Sequence, residues 1–165
     1  MPVTVAVLGA GAWGTALALH LATRASAAPR VRLFARAAAQ AEAMRRAREN
    51  ARYLPGIALP EALEVTADPD RVAGADVLVA ATPVAALEEV VRAFAALGAR
   101  APLVWLSKGF VAGDDGPALA HRRLAPLWPA PVGVVSGPSF AEEVARGLPT
   151  ALAVAATVPG LAGDV

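Results

Sequence analysis

Short uncharged runs alternate with amphipathic stretches along most of the chain. Residues 3–8 (VTVAVL) are β-branched and apolar toward both faces, the pattern of a strand in a parallel sheet covered by helices. The glycine-rich corner GAGAWG at 9–14 follows, and residues 12–24 then read as a helix rich in alanine and leucine. Ala28-Pro29 breaks it, and residues 31–35 predict a second strand. Residues 38–49 have the composition of a polar-faced helix. Two prolines and a glycine make 50–60 (NARYLPGIALP) a loop, in which Tyr53 and Leu54 pin the chain to the core or residues 50–56 fold over a ligand crevice. A short strand is expected at 63–66.

From Ala75 the pattern is regular again. ADVLVAAT (75–82) predicts a strand, and Pro83 starts a helix over 84–96, because proline is tolerated in a first helical turn. Strand 102–107, loop 108–116, a helix around 117–125, strand 131–136, a short helix at 139–146 and a last strand at 150–157 complete the reading. Strands spaced by helices of these lengths form βαβ units with right-handed crossovers. The fold class is therefore α/β, a Rossmann-like doubly wound, mostly parallel sheet with flanking helices.

Composition narrows the picture mainly by exclusion. The 165 residues are 56% hydrophobic and 18% charged, which suits a packed domain rather than a disordered chain. Lys+Arg at 15 against Asp+Glu at 14 leaves net +1, so there is no general electrostatic reason to expect nucleic acid as a partner. Without cysteine and with two histidines, neither a disulfide framework nor a thiolate or histidine-cluster metal site is expected. That usage agrees with a reducing compartment. Residues 1–23 carry no charged side chain, yet they lack a basic leading region and glycines interrupt them near the middle. They read as a soluble strand and helix, not as membrane insertion.

The corner GAGAWG gains meaning from its place between a strand and a helix. Gly9 permits the tight turn, Gly11 lets the backbone approach a pyrophosphate, and Gly14 allows close helix and strand packing. First-turn N–H groups have no intrahelical acceptor and can face an anion. Trp13 either packs over the helix start or lines a cofactor groove. In NAD-specific folds an acid commonly stands about 20 residues beyond the glycines. Here Arg36 occupies the tip of the second strand and no acid precedes Glu42. A guanidinium pairs with a 2′-phosphate through a forked contact, so the expected cofactor is NADP, or NAD and NADP alike.

With these residues placed, the chain resembles the N-terminal domain of bacterial NAD(P)-dependent glycerol-3-phosphate dehydrogenase. The likeness runs through VAVLGAGAWGTALALHLA (6–22), LFAR (33–36), NARYLPG (50–56), DVLVAATP (76–83), SKG (107–109) and SGPSFAEEVARGLPTA (136–151). It implies that Ala12, Trp13 and Arg36 lie around the nicotinamide cofactor, with Ala141 also on the cofactor side. It implies further that Lys108 contacts both cofactor and polyol phosphate, and that Gly137 and Ser139 face the substrate. The implied chemistry is hydride transfer between sn-glycerol 3-phosphate and dihydroxyacetone phosphate, in the cytoplasm, supplying the backbone of glycerophospholipids. The resemblance is compatible with a homodimer of the full-length enzyme.

Several positions keep a second reading. Lys108 follows a strand end, where the ligand crevices of open α/β sheets lie, and its ammonium can stabilise a developing oxyanion; it can also be a surface lysine. Ser139 and Glu142 in SFAE have capping-box spacing, so Ser139 closes a helix start, contacts a phosphate, or does both. Glu142 and Glu143 read as helix-surface groups. Asp76 is expected to orient a neighbouring backbone turn, and Pro83 to shape the turn on the nicotinamide side. His20 reads as structural and His121 as part of a local basic surface.

Family members continue into a helical domain that supplies the catalytic lysine, an aspartate and a Ser-Arg-Asn cluster. The expectation is thus a Rossmann domain over 1–157 followed by a tail at 158–165, with nucleotide affinity but little turnover in this chain alone. Lys108 is its sole lysine. The stretch TALAVAATVPGLAG is expected to contribute exposed apolar surface. Two alternatives stand beside this reading: another two-domain NAD(P)-dependent dehydrogenase of hydroxy or keto substrates, and a non-catalytic nucleotide-binding module.

Overall fold

The structure is a computed structural model that describes residues 2–23, 29–113 and 116–164. The first half builds β1 (Thr4–Leu8), α1 (Ala12–Ala22), β2 (Arg30–Phe34), α2 (Ala38–Ala47), β3 (Glu49–Asn50), β4 (Leu54–Ala58), β5 (Leu63–Thr66) and α3 (Asp70–Ala73). The second half builds β6 (Val77–Ala80), α4 (Val84–Ala96), β7 (Leu103–Trp105), β8 (Phe110–Val111), β9 (Ala118–Leu119) and α5 (Ala120–Leu124). A 3₁₀ turn (Ala125–Leu127), β10 (Val132–Ser136), α6 (Ala141–Ala145), β11 (Ala153–Ala156) and α7 (Pro159–Asp164) follow.

Seven strands form one sheet in the order β11-β10-β7-β6-β1-β2-β5. Six are parallel and β11 runs antiparallel to β10. The doubly wound, mostly parallel sheet expected from the pattern is therefore present. Successive residues on a strand face opposite sides, and both sides are covered. On β1 and β6, Leu8 and Leu78 pack with Leu87, Val91 and Phe94 of α4, while Val7 and Val79 pack with Leu19 of α1 and Met44 of α2. This double burial explains why these strands read as continuous apolar runs.

The differences from the sequence reading lie at element ends and in short pairings. Helix α2 stops at Ala47 because Arg48 takes a left-handed backbone, φ 48°. Its guanidinium donates to the carbonyls of Pro60 and Leu63, the latter at 3.2 Å, which ties the helix end to the sheet edge. The expected loop 50–60 is instead a hairpin, β3 with β4. The expected loop 108–116 begins with β8, paired to β9, and its residues 114–115 lie outside the described residues, as do Arg24 and Ala28. Strand β11 is antiparallel because α6 packs on α1 instead of crossing the sheet. Helix α7 buries Leu161 against Val104 and Val135, so the packed body extends past residue 157, while Leu152 and Val158 stay exposed.

Candidate functional site

The chain leaves β1 toward β2 on one side and reaches β6 on the other, so the carboxyl ends of β1 and β6 flank a topological switch point. Open α/β sheets bind ligands in the crevice at such a point. Here two cavities of about 370 and 380 Å³ meet there, sharing Ala81, Thr82 and Pro83 at the exit of β6.

The three corner glycines do different work. Gly9 has φ 120°, and a Cβ there would stand 2.7 Å from the Ala81 carbonyl oxygen. A Cβ on Gly14 would stand 2.0 Å from the Gly9 oxygen, so this glycine lets α1 close on the turn behind it. Gly11 differs: a Cβ would meet no protein atom within 4 Å, and its φ of −80° suits any residue. The protein's own packing does not require glycine at 11, whereas a ligand pressed against the backbone would. Gly11 is also the N-cap of α1, and no side chain caps that helix. Among the described residues the first-turn amides are thus left without a side-chain acceptor beside a cavity that Gly11 lines, the arrangement that fits a diphosphate.

Beyond the corner, the larger cavity is walled by Phe34, Arg36, Tyr53, Val90 and Phe94. Phe34 and Phe94 meet edge to face, with centroids 5.6 Å apart. Arg36 lies at the rim with its side chain 85% exposed and its Nη1 3.8 Å from Glu89 of α4. A pair this exposed contributes little to stability, which leaves the guanidinium available to an anionic ligand. Leu54 is buried as expected, but Tyr53 is an exposed wall of this cavity rather than a core anchor. On α4, Glu88 turns away toward Arg92 and Arg123, at 2.9 and 2.8 Å.

The other cavity brings together Trp13, Pro83, Lys108, Gly137 and Ser139. The Ser107 hydroxyl donates to the Thr82 carbonyl at 2.6 Å, locking the exit of β7 to that of β6 and fixing the start of the lysine's loop. Lys108 Nζ then donates to the Gly137 carbonyl at 2.8 Å. Gly137 is held by packing: a Cβ would lie 2.6 Å from the Ala151 oxygen. Trp13 lines this cavity, packs beside Leu54 and Val144, and donates from Nε1 to the Ser139 carbonyl at 3.4 Å. The capping box does not form. Phe140 is the N-cap of α6, Ser139 Oγ donates to Gly137 O at 3.5 Å, and Glu142 faces Arg146. The helix begins one residue too late for the serine to reach its first amides.

Ala12 is half-buried at the first position of α1 and lines neither cavity. Ala141 packs with Trp13, Leu54 and Val144 behind the cavity wall. Pro83 is the N-cap of α4 and borders both cavities. Asp76 Oδ2 accepts from the Thr4 N–H at 2.8 Å, so it holds the start of the distant strand β1 rather than a neighbouring turn. His20 is half-buried in α1, and His121 lines shallow depressions beside Trp105. Three contributors were not singled out from the sequence. Thr82 lines both cavities with a buried, unpartnered Oγ1. Gln40 and Asn50 both donate to the Ala10 carbonyl, at 2.7 and 3.0 Å. Among the described residues no group of three or more His, Cys, Asp or Glu side chains gathers as a metal site, and no helix is long and apolar enough to cross a membrane.

The sheet order, the uncapped helix behind a glycine turn and the crevice at the switch point define a Rossmann-type dinucleotide fold. The chain belongs to the family described as NAD-dependent glycerol-3-phosphate dehydrogenase N-terminus, whose model matches residues 4–162. It is 51% identical to a glycerol-3-phosphate dehydrogenase [NAD(P)+] of Methylibium petroleiphilum, over 93% of this chain and 45% of that protein. A protein of the same name from Variovorax paradoxus is 51% identical, over 92% of this chain and 46% of its own length. The crystal structure of glycerol-3-phosphate dehydrogenase from Coxiella burnetii superposes with a TM-score of 0.87 at 35% identity, covering 98% of this chain and 49% of that one. The chain thus spans about half the length of the curated relatives it matches.

Proposed function

We propose that the protein is an NAD(P)-dependent sn-glycerol-3-phosphate dehydrogenase, moving hydride reversibly between sn-glycerol 3-phosphate and dihydroxyacetone phosphate, and that this chain forms its cofactor-binding half. The observation that carries the reading is the continuous crevice from Arg36, past the uncapped start of α1, to the sole lysine. The bound nicotinamide supplies the hydride; everything else falls to the protein.

In this reading the amides of Gly11, Ala12 and Trp13 bind the pyrophosphate. Phe34, Val90 and Phe94 provide the apolar wall of the adenosine end, and Arg36 pairs with the 2′-phosphate of NADP. Trp13 and Pro83 cover the ring end and exclude water. Lys108, Gly137 and Ser139 hold the polyol phosphate, with Ala141 supporting Trp13 from behind. The Lys108 ammonium, delivered by the rigid exit of β7, offsets negative charge that develops on the carbonyl oxygen. Proton transfer to that oxygen is assigned to residues outside this half of the enzyme, and so is the rest of the substrate wall, which register in hydride transfer demands. By likeness to the family, we place the protein in the cytoplasm and expect a homodimer.

An assay of the complete reading frame tests the reading. Loss of nicotinamide absorbance on adding dihydroxyacetone phosphate and NADPH is expected. Activity on another keto substrate, with none on this one, contradicts it.

A further inference from the structure

The geometry points to Gln40 and Asn50 as positioning residues that aim the Gly11 N–H at the bound diphosphate by holding the preceding carbonyl, Gln40 from the cavity wall and Asn50 from the buried side. The inference rests on the dinucleotide reading above. The Ala10 oxygen accepts from Gln40 Nε2 at 2.7 Å and from Asn50 Nδ2 at 3.0 Å, which uses both of its lone pairs. The Ala10–Gly11 peptide is trans, and in a planar trans unit the N–H points opposite to the C=O. With the oxygen tied toward the buried amide of Asn50, the Gly11 N–H is turned to the crevice wall that Gly11 forms.

Glycine makes this restraint necessary. Close approach of a diphosphate needs a residue without Cβ at 11, but the same lack of Cβ removes the steric resistance to flipping the peptide plane. Two side-chain amides supply that resistance instead. Asn50 is itself fixed: it is 1% exposed, its Nδ2 also reaches Thr15 Oγ1 at 2.7 Å, and Thr15 is fully buried in the first turns of α1. The clamp therefore joins α2, the β3–β4 hairpin and α1 at one oxygen.

Gln40→Met keeps the length of the side chain and removes its donor from a half-buried position, so the fold is retained; Asn50→Ala removes the buried donor. The readouts are the affinities for ADP-ribose, which carries the pyrophosphate, and for adenosine, which does not, together with the Gly11 amide resonance and the Tm. For Gln40→Met we expect about fivefold weaker ADP-ribose binding, adenosine unchanged within about twofold, and a smaller Gly11 shift on titration. Asn50→Ala should move the same quantities further and lower the Tm as well. Unchanged ADP-ribose affinity in Gln40→Met overturns the inference, as does parallel weakening of both ligands. If the wild-type chain binds no ADP-ribose, the dinucleotide reading fails first and takes this inference with it.

Discussion

Lys108 Nζ donates to the carbonyl oxygen of Gly137 across 2.8 Å, which tethers an exposed side chain to the wall of the cavity that Trp13 and Ser139 also line. The backbone at Gly137 is equally constrained, because no Cβ fits beside Ala151. Lys108→Met should therefore reduce turnover of the complete enzyme by about 100-fold or more, the scale of removing one preorganised electrostatic contact. Cofactor affinity should change by less than about threefold, since the pyrophosphate subsite is separate. Steady-state kinetics beside a binding titration check the split.

Gly11 and Gly14 should respond oppositely to alanine. At 14 the methyl would meet the Gly9 oxygen at 2.0 Å, and a backbone clash of that kind costs about 3 kcal/mol or more. At 11 there is space, so stability should shift by less than about 1 kcal/mol. NADPH affinity of Gly11→Ala should nevertheless fall at least about tenfold. Thermal melts and calorimetry on the two variants separate a packing glycine from a ligand glycine.

Among the described residues Arg36 makes one ion pair, an exposed one with Glu89 at 3.8 Å, so Arg36→Ala should leave stability within about 1 kcal/mol of the parent. NADPH binding should weaken about tenfold, and NADH binding by less than about twofold, because only NADP presents a 2′-phosphate to the guanidinium. Equal loss for both cofactors, or none for NADPH, removes Arg36 from this role.

On α4, hydrogen bonds from Arg123 and then Arg92 hold the Glu88 carboxyl below the usual glutamate range. A carboxyl lowered in the folded state contributes stability above its unfolded value and loses it as pH falls through the folded one. Glu88→Gln should therefore melt below the parent at neutral pH, and the two Tm values should converge as pH falls through the lowered titration range of the folded carboxyl. A gap that persists unchanged in acid assigns the effect to packing instead.

The parallel sheet was legible because Val7 and Leu8, or Leu78 and Val79, must each find a helix on opposite faces, and such strands announce themselves as apolar runs. The glycine corner was legible for the same reason, lying between a strand and a helix. The β3–β4 and β8–β9 pairings were not, since β3, β8 and β9 are two residues long and carry no periodicity, while β4 (LPGIA) holds the proline and glycine that read as loop. The Asn50 clamp was equally hidden: its partners Ala10 and Thr15 lie far back in the chain, and asparagine beside prolines and glycine reads locally as a loop. At Ser139 the spacing to Glu142 suggested a cap, but the extended backbone of Phe140 delays the helix by one residue.

A crystal structure of this chain with NADPH decides whether the crevice holds the cofactor. Pyrophosphate oxygens are expected within about 2.7–3.2 Å of the Gly11, Ala12 or Trp13 amides, with the 2′-phosphate at Arg36 and the nicotinamide beside Pro83 and Lys108. NADPH bound elsewhere, or a crevice that stays empty at saturating cofactor, would contradict the dinucleotide reading.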